Sequence, residues 1–327
     1  MVRQLSLLLV AFLLAACAAS GTAIPPGGAA GPNTQSAASW MLPEAMGKDL
    51  VYTSDINRRE VFILSLPSGK LVGTMAFHDV PWGMCVDPSG NVFVTTRTSA
   101  MHAKRGAVTE YGHGSVTPIL KLNVPGASAC AYDPKTGDLA VSAEPNGGAR
   151  VTISIFSPPW GRGAVRTVNT ITLEAQLYLT YDDQGNLFFP TVQYSAGNRL
   201  FKLPFGSATP VVVKLLGNQS DGGPLQWYGK YLASEITTVG GEAVEHIKAP
   251  RERGHVAGLT TLEGPSMDFG GNEFWIDRDK IASPFAYSDG PDTEVGVWSY
   301  PGGSQSGVFN VTGARFLTGV TISRATK

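Results

Sequence analysis

Short hydrophobic runs recur along the chain, each passing into a tight polar turn and out into a second run. The clearest copies are Asp87 to Val94 (DPSGNVFV), Asp133 to Val141 (DPKTGDLAV) and Asp182 to Phe189 (DDQGNLFF). A period of about 40 to 50 residues is the signature of stacked four-stranded units closed into a ring. Runs such as Val92 to Val94 and Leu187 to Phe189 are apolar on both faces, as strands sandwiched between two sheets require. Leu120-Lys121-Leu122 and Val213-Lys214-Leu215 alternate instead, which predicts outer strands with one wet side. A helical period is absent throughout. In the turns Gly90, Gly137, Gly185 and Gly229 supply positive φ without a Cβ clash. Asn91, Asp138 and Asn186 are expected to favour the same region. Asp87 and Asp133 precede proline, and hydrogen bonding within the turn accounts for them better than metal coordination does.

Read strand by strand, the pattern predicts an all-β fold, a six-bladed β-propeller with four antiparallel strands per blade. Innermost strands are expected at Trp82 to Val86, Ala127 to Tyr132, Leu177 to Tyr181, Pro224 to Trp227, Glu273 to Ile276 and Leu317 to Ile322. Second strands follow at Val92 to Thr96, Leu139 to Ala143, Leu187 to Thr191, Tyr231 to Glu235, Lys280 to Ser283 and Leu50 to Ser54. The last innermost strand comes from the C-terminus and its partners from residues 50–77, so the N-terminal strands pair with the C-terminal one and no sheet edge is left open.

The head of the chain has a different character. Arg3 and the twelve-residue apolar run Leu5 to Ala16 are too short to span a bilayer and read as a signal segment. It closes on Leu14-Ala15-Ala16-Cys17, which resembles the bacterial lipobox. That resemblance implies cleavage before Cys17, lipidation of Cys17 and an extracytoplasmic, membrane-anchored place in the cell envelope. Ala18 in the next position implies the outer membrane, on its periplasmic side, in a Gram-negative cell. An ordinary secretory signal with an incidental cysteine is the other reading of these residues. The domain plan is therefore residues 1–16 signal peptide, residues 17–46 lipidated Cys and flexible tether rich in Ala, Gly, Ser and Pro, and residues 47–327 propeller. With a formal net charge of -1 and no basic patch interleaved with aromatics, nucleic acid is not an expected partner. Cys85 and Cys130 lie on strands leading into neighbouring turns. They form a disulfide in an oxidising compartment or stay as two buried thiols.

The DPSGNVFV and DDQGNLFF repeats are similar to NHL-type repeats, a resemblance that covers residues 50–323 and implies a six-bladed propeller. The whole also resembles bacterial propeller lipoproteins of uncharacterised function. Such folds host binding modules and enzymes alike. Propeller sites of this kind lie on the face opposite the tight turns. This makes Asp55, His78, Trp82, Arg97, Glu144, Tyr178, Gln193 and Glu235 the candidate ligand-binding rim. Acids, an amide, one guanidinium and aromatics suit a small polar ligand, a glycan or a protein; a hydrated rim without ligand is the plain alternative. No catalytic residue is assigned, because the five histidines lack H-E-x-x-H spacing and no nucleophile elbow or P-loop occurs. Glu263-Gly264-Pro265 looks like the start of the gluconolactonase-like propellers, which implies a divalent metal such as Ca²⁺ held by carboxylate and amide oxygens. Pro81-Trp82-Gly83 stands where that family has an Asn-Gly pair, so no metal ligand or cofactor is assigned. A metal-dependent lactonase is the second reading, after a binding module, and a subunit of an envelope assembly is the third.

Overall fold

The computed structural model describes residues 46–99, 104–144, 151–164, 166–169, 178–191, 199–216, 223–238, 241–248, 253–264, 273–285 and 293–325. Cys17, the signal and tether segments and Gln193 lie outside these residues. The chain begins with β1 (Leu50–Asp55), β2 (Glu60–Ser65) and β3 (Leu71–Ala76). Two four-strand meanders follow: β4 (Val80–Val86), β5 (Val92–Arg97), β6 (Gly106–Tyr111) and β7 (Pro118–Asn123), then β8 (Ala127–Tyr132), β9 (Leu139–Ala143), β10 (Thr152–Phe156) and β11 (Arg166–Asn169). Next come β12 (Thr180–Tyr181), β13 (Leu187–Thr191), β14 (Arg199–Leu203) and β15 (Val211–Leu216), and β16 (Leu225–Tyr228), β17 (Tyr231–Thr238), β18 (Gly241–Lys248) and β19 (Arg253–Thr261). The chain finishes with β20 (Trp275–Asp277), β21 (Lys280–Phe285), β22 (Glu294–Ser299) and β23 (Gln305–Asn310), and lastly β24 (Leu317–Ser323). One 3-10 turn, Trp160–Arg162, is the sole helical element among the described residues.

The architecture is all-β, built of four-stranded antiparallel sheets. β4–β7, β8–β11 and β20–β23 each form one sheet, and β24 joins β1–β3 in another. Val51 pairs with Ile322 and Tyr52 with Thr321, so the two ends of the domain share one hydrogen-bonded ladder. The quartets β12–β15 and β16–β19 are joined into an eight-stranded sheet through a parallel pairing of β15 with β19. The sequence pattern gave no sign of that joint. β4, β8, β12, β16, β20 and β24 touch in succession, and β24 also touches β4.

Burial follows the sequence pattern. β1, β5, β6 and β9 are buried at every position, whereas β3, β7 and β15 are largely exposed or half-buried, with one or two buried positions each. Apolar clusters form between sheets: Phe93, Val108 and Leu122 of one sheet pack on Leu139, Val141 and Phe156 of the next. Burying each such side chain contributes about 1.5–3 kcal/mol. The disulfide Cys85–Cys130 ties β4 to β8, with an S–S distance of 2.09 Å.

In the tight turns Gly90, Gly137 and Gly185 adopt φ of 85°, 78° and 82°. Asn91, Asp138 and Asn186 do not share the left-handed region; the described non-glycine residues that do are Arg59 and Arg278. One left-handed residue already reverses the chain, so the next is free to start the strand and use its side chain as a bridge. Asn91 Nδ2 donates to Asp87 Oδ2 and to Glu110 Oε1, each at 3.0 Å. Asp87 Oδ1 accepts from Asn91 N at 2.8 Å, and Asp182 Oδ1 accepts from Gln184 N and Asn186 N at 2.9 and 2.8 Å. These carboxylates are engaged by the turns they begin.

A second recurring device lies deeper. Ser54, Thr95, Ser142, Ser234 and Ser283 stand near the ends of the second strands and are almost wholly buried. Ser54 Oγ bonds Trp82 O at 2.6 Å and accepts from Gly319 N at 2.9 Å. Thr95 Oγ1 shares its proton between Gly83 O and Ser128 O at 2.8 and 2.9 Å, and Ala129 N donates to Ser142 Oγ at 3.1 Å. The pairings β1–β24, β4–β5 and β8–β9 shift register at these levels, and the hydroxyls take up main-chain groups that the ladder releases there.

Gly296 is covered by the Trp298 ring, which is fully buried and donates from Nε1 to Glu263 O at 2.9 Å. A Cβ on Gly296 would stand 2.0 Å from that ring. Gly296→Ala is expected to lower stability by about 1–3 kcal/mol through overpacking, read by denaturant unfolding, with a changed near-ultraviolet circular dichroism signal from the displaced indole.

Candidate functional site

The first strands of the successive quartets surround a cavity of about 470 Å³. That is the size of a small-molecule site. Its walls run from Met84, Tyr178 and Glu273 at one end to Asp87, Pro134, Asp183, Asp277 and Arg324 among the tight turns at the other. Trp227 and Trp275 add aromatic surface. The walls are well fixed. Gln226 Nε2 donates to Ile276 O at 2.9 Å while its Oε1 accepts from Ile276 N at 2.6 Å, locking β16 to β20. Trp227 N donates to Thr180 Oγ1 at 2.8 Å, locking β16 to β12.

Glu273 closes the cavity at its inner end. It stands just before β20, where its N–H bonds Thr318 O at 2.9 Å. Its Oε2 accepts from Met84 N at 3.1 Å, and the main chain of Val320 donates as well, so one carboxyl spans β20, β24 and β4. Two glycines leave room for it. A Cβ on Gly83 would lie 2.3 Å from Glu273 Oε1, and one on Gly319 would lie 3.2 Å from Oε2. Burial lifts the carboxyl to about 8, against the pull of the two main-chain donors. Tyr178 lies in the same wall. Burial pushes its phenol well above the usual range, and the negative charges of Glu273 and Glu235 push it further.

The candidate residues separate into several places. Trp82, Arg97 and Glu144 come together: the guanidinium lies 3.6 Å over the Trp82 ring and donates to Glu144 Oε2 and Ser128 Oγ, each at 3.1 Å. Arg97 is 2 % exposed, and burial lowers its affinity for the proton against the support of Glu144. This cluster is a buried charge pair stacked on an indole, and it is not part of the cavity wall. Asp55 serves the backbone. Its Oδ1 accepts from Asn57 N and Arg58 N at 2.9 and 2.8 Å, and its Oδ2 accepts from Phe316 N at 3.2 Å. His78 is solvent-facing beside Asp79 at 3.2 Å. Glu235 is half-buried next to Gly223. Of the seven rim candidates among the described residues, Tyr178 alone lines the cavity, which extends toward the tight-turn side. Among the described residues no three His, Cys, Asp or Glu side chains converge as a metal-binding group.

Glu273 was legible as the first residue of a predicted strand, but nothing marked its role. Its signal was the pair Gly83 and Gly319, at matching places in two innermost strands, since a glycine inside a strand marks a close approach.

No protein-family model matches the chain, and no characterised protein matches it by sequence. Solved structures do match it. The nidogen/laminin complex gives a TM-score of 0.59 at 10% identity, over 85% of this chain and 100% of the other. TolB from Acinetobacter baumannii gives 0.59 at 10% identity, over 85% and 67%. A protein of unknown function from Bacteroides caccae gives 0.54 at 9% identity, over 85% and 99%. These are β-propeller-like structures, and at such low identity the likeness is one of fold alone.

The Glu273 carboxyl keeps its proton to about pH 8 when folded, against an ordinary value of 4.5. Folding therefore takes up a proton between those values. The stability this contributes is complete below the unfolded value and is lost as pH rises through the folded one. The expected loss between about pH 5 and pH 8.5 is roughly 2–4 kcal/mol. Glu273→Gln should flatten that part of the stability profile, measured as urea midpoints across the range.

Proposed function

We propose that this chain is a membrane-tethered, extracytoplasmic six-bladed β-propeller that binds a small polar ligand, such as a sugar or peptide, in its central cavity. The cavity carries the reading. It is preformed and of ligand size, and it combines aromatic surface with a few fixed polar groups. Six blades are supported by the division of the eight-stranded sheet at its parallel joint into two meanders like the rest. The succession of first strands that returns from β24 to β4 supports a closed ring. The lipobox-like LAAC sequence at residues 14–17 supports a lipid anchor on Cys17 and a place in the cell envelope.

The competing reading, a gluconolactonase-like hydrolase, rests on Glu263-Gly264-Pro265. Glu263 is solvent-exposed just past the end of β19, away from the cavity wall. Thermal shift against a panel of sugars, peptides and divalent ions is the direct test, since a ligand held only by the native state raises the melting temperature. A ligand of the cavity should lose most of its shift in Tyr178→Phe and Glu273→Gln. Unchanged shifts in both variants place the ligand elsewhere, and metal-dependent lactone hydrolysis by the purified chain overturns the binding-module reading in favour of the enzyme.

A further inference from the structure

β15 and β19 are the outermost strands of two neighbouring quartets, and their parallel pairing fuses two outer edges into one outward surface. The register sets Lys214 opposite Arg253 and Leu216 opposite His255, and residues so paired project to the same side. Strand alternation adds Val212 to that side, and Lys248 joins it through its pairing with His255. Val212 and Leu216 are 46% and 52% exposed, and Lys214, Lys248 and Arg253 are exposed beside them. The described residues of β15, β18 and β19 offer no exposed carboxylate there, because Glu242 and Glu245 are buried. The whole chain has a formal net charge of -1, so this concentration of cations is local.

We propose that this face docks on an anionic phospholipid bilayer. Val212 and Leu216 enter the boundary between headgroups and acyl chains while Lys214, Lys248 and Arg253 meet the phosphates. The interleaving supports this occupant: Lys214 lies between Val212 and Leu216 on one strand, and Arg253 on the next strand stands opposite Lys214. A surface that mixes single aliphatics with single cations matches the layered chemistry of a membrane interface. The proposal takes from the tethered reading only the presence of a nearby bilayer, and the face itself does not depend on Cys17.

The test uses the full chain carrying Cys17→Ala, so that no acyl chain supplies the attachment, and measures its partition into vesicles with and without phosphatidylglycerol. Lys214→Glu with Arg253→Glu should weaken partition into the anionic vesicles at least about tenfold, since each cation near such a surface adds favourably. Val212→Ser with Leu216→Ser should weaken it as well, and both exposed pairs should leave the melting temperature unchanged. Any contribution of the leader is common to all the chains compared. Equal partition of parent and variants, or equal partition into neutral vesicles, overturns the proposal. Concentration-dependent dimerisation that the same substitutions abolish overturns it in favour of a second copy. Loss of the lipid-anchor reading, by a mass spectrum with unmodified Cys17 in the native protein, leaves this outcome independent.

Discussion

Buried hydroxyls on the second strands hold neighbouring sheets together where the first strands lie close. There the first strands bulge, and some of their carbonyls and amides no longer meet a strand partner in register. Ser54, Thr95 and Ser142 take up those groups, and Thr95 reaches the main chain of two sheets at once. An unmade hydrogen bond in such a dry place costs about 1–3 kcal/mol, so the hydroxyls keep the bulged strands from leaving main-chain groups unpaired. The same level of the fold carries Gly83 and Gly319, where the missing side chains admit the Glu273 carboxyl.

The fold was readable from the sequence for a physical reason. Strands covered on both faces need unbroken apolar runs, and the turns between them need a residue such as Gly90 or Gly185 that tolerates positive φ. Both requirements are local, so both are written in consecutive residues. The site was far less readable. Glu273, Met84 and Val320 are brought together by the stacking of separate sheets, and no local pattern records that meeting. Trp82 and Arg97 looked like ligand contacts because they are polar or aromatic at a strand end. The structure instead spends them on each other, as a guanidinium stacked on an indole and neutralised by Glu144. The hydroxyl positions were present in plain view, as Ser or Thr near the end of five second strands. They went unread because a buried serine has no distinguishing neighbours in sequence.

Two solutions to buried charge sit side by side in the interior. Arg97 and Glu144 answer each other, and the pair keeps its charges at the cost of desolvation. Glu273 has no cation to answer it among the described residues, and two main-chain donors do not suffice, so it holds its proton instead. The end of the cavity is thus capped by a neutral acid whose state follows the surrounding pH. The other end is bounded by Asp87 and Asp182, which are engaged by their own turns, by the exposed Asp183, and by Asp277, which is paired with Arg324.

The pairing of Leu50–Asp55 with Leu317–Ser323 also sets an order of events during synthesis. A ribosome releases β1, β2 and β3 well before β24, so the earliest strands wait without their inner neighbour while the intervening sheets emerge. The shared sheet therefore cannot be completed before β24 is made, and nascent chains short of it keep an unpaired edge. The domain thus reaches its finished state only when two strands about 260 residues apart meet, the widest separation its sheets have to close.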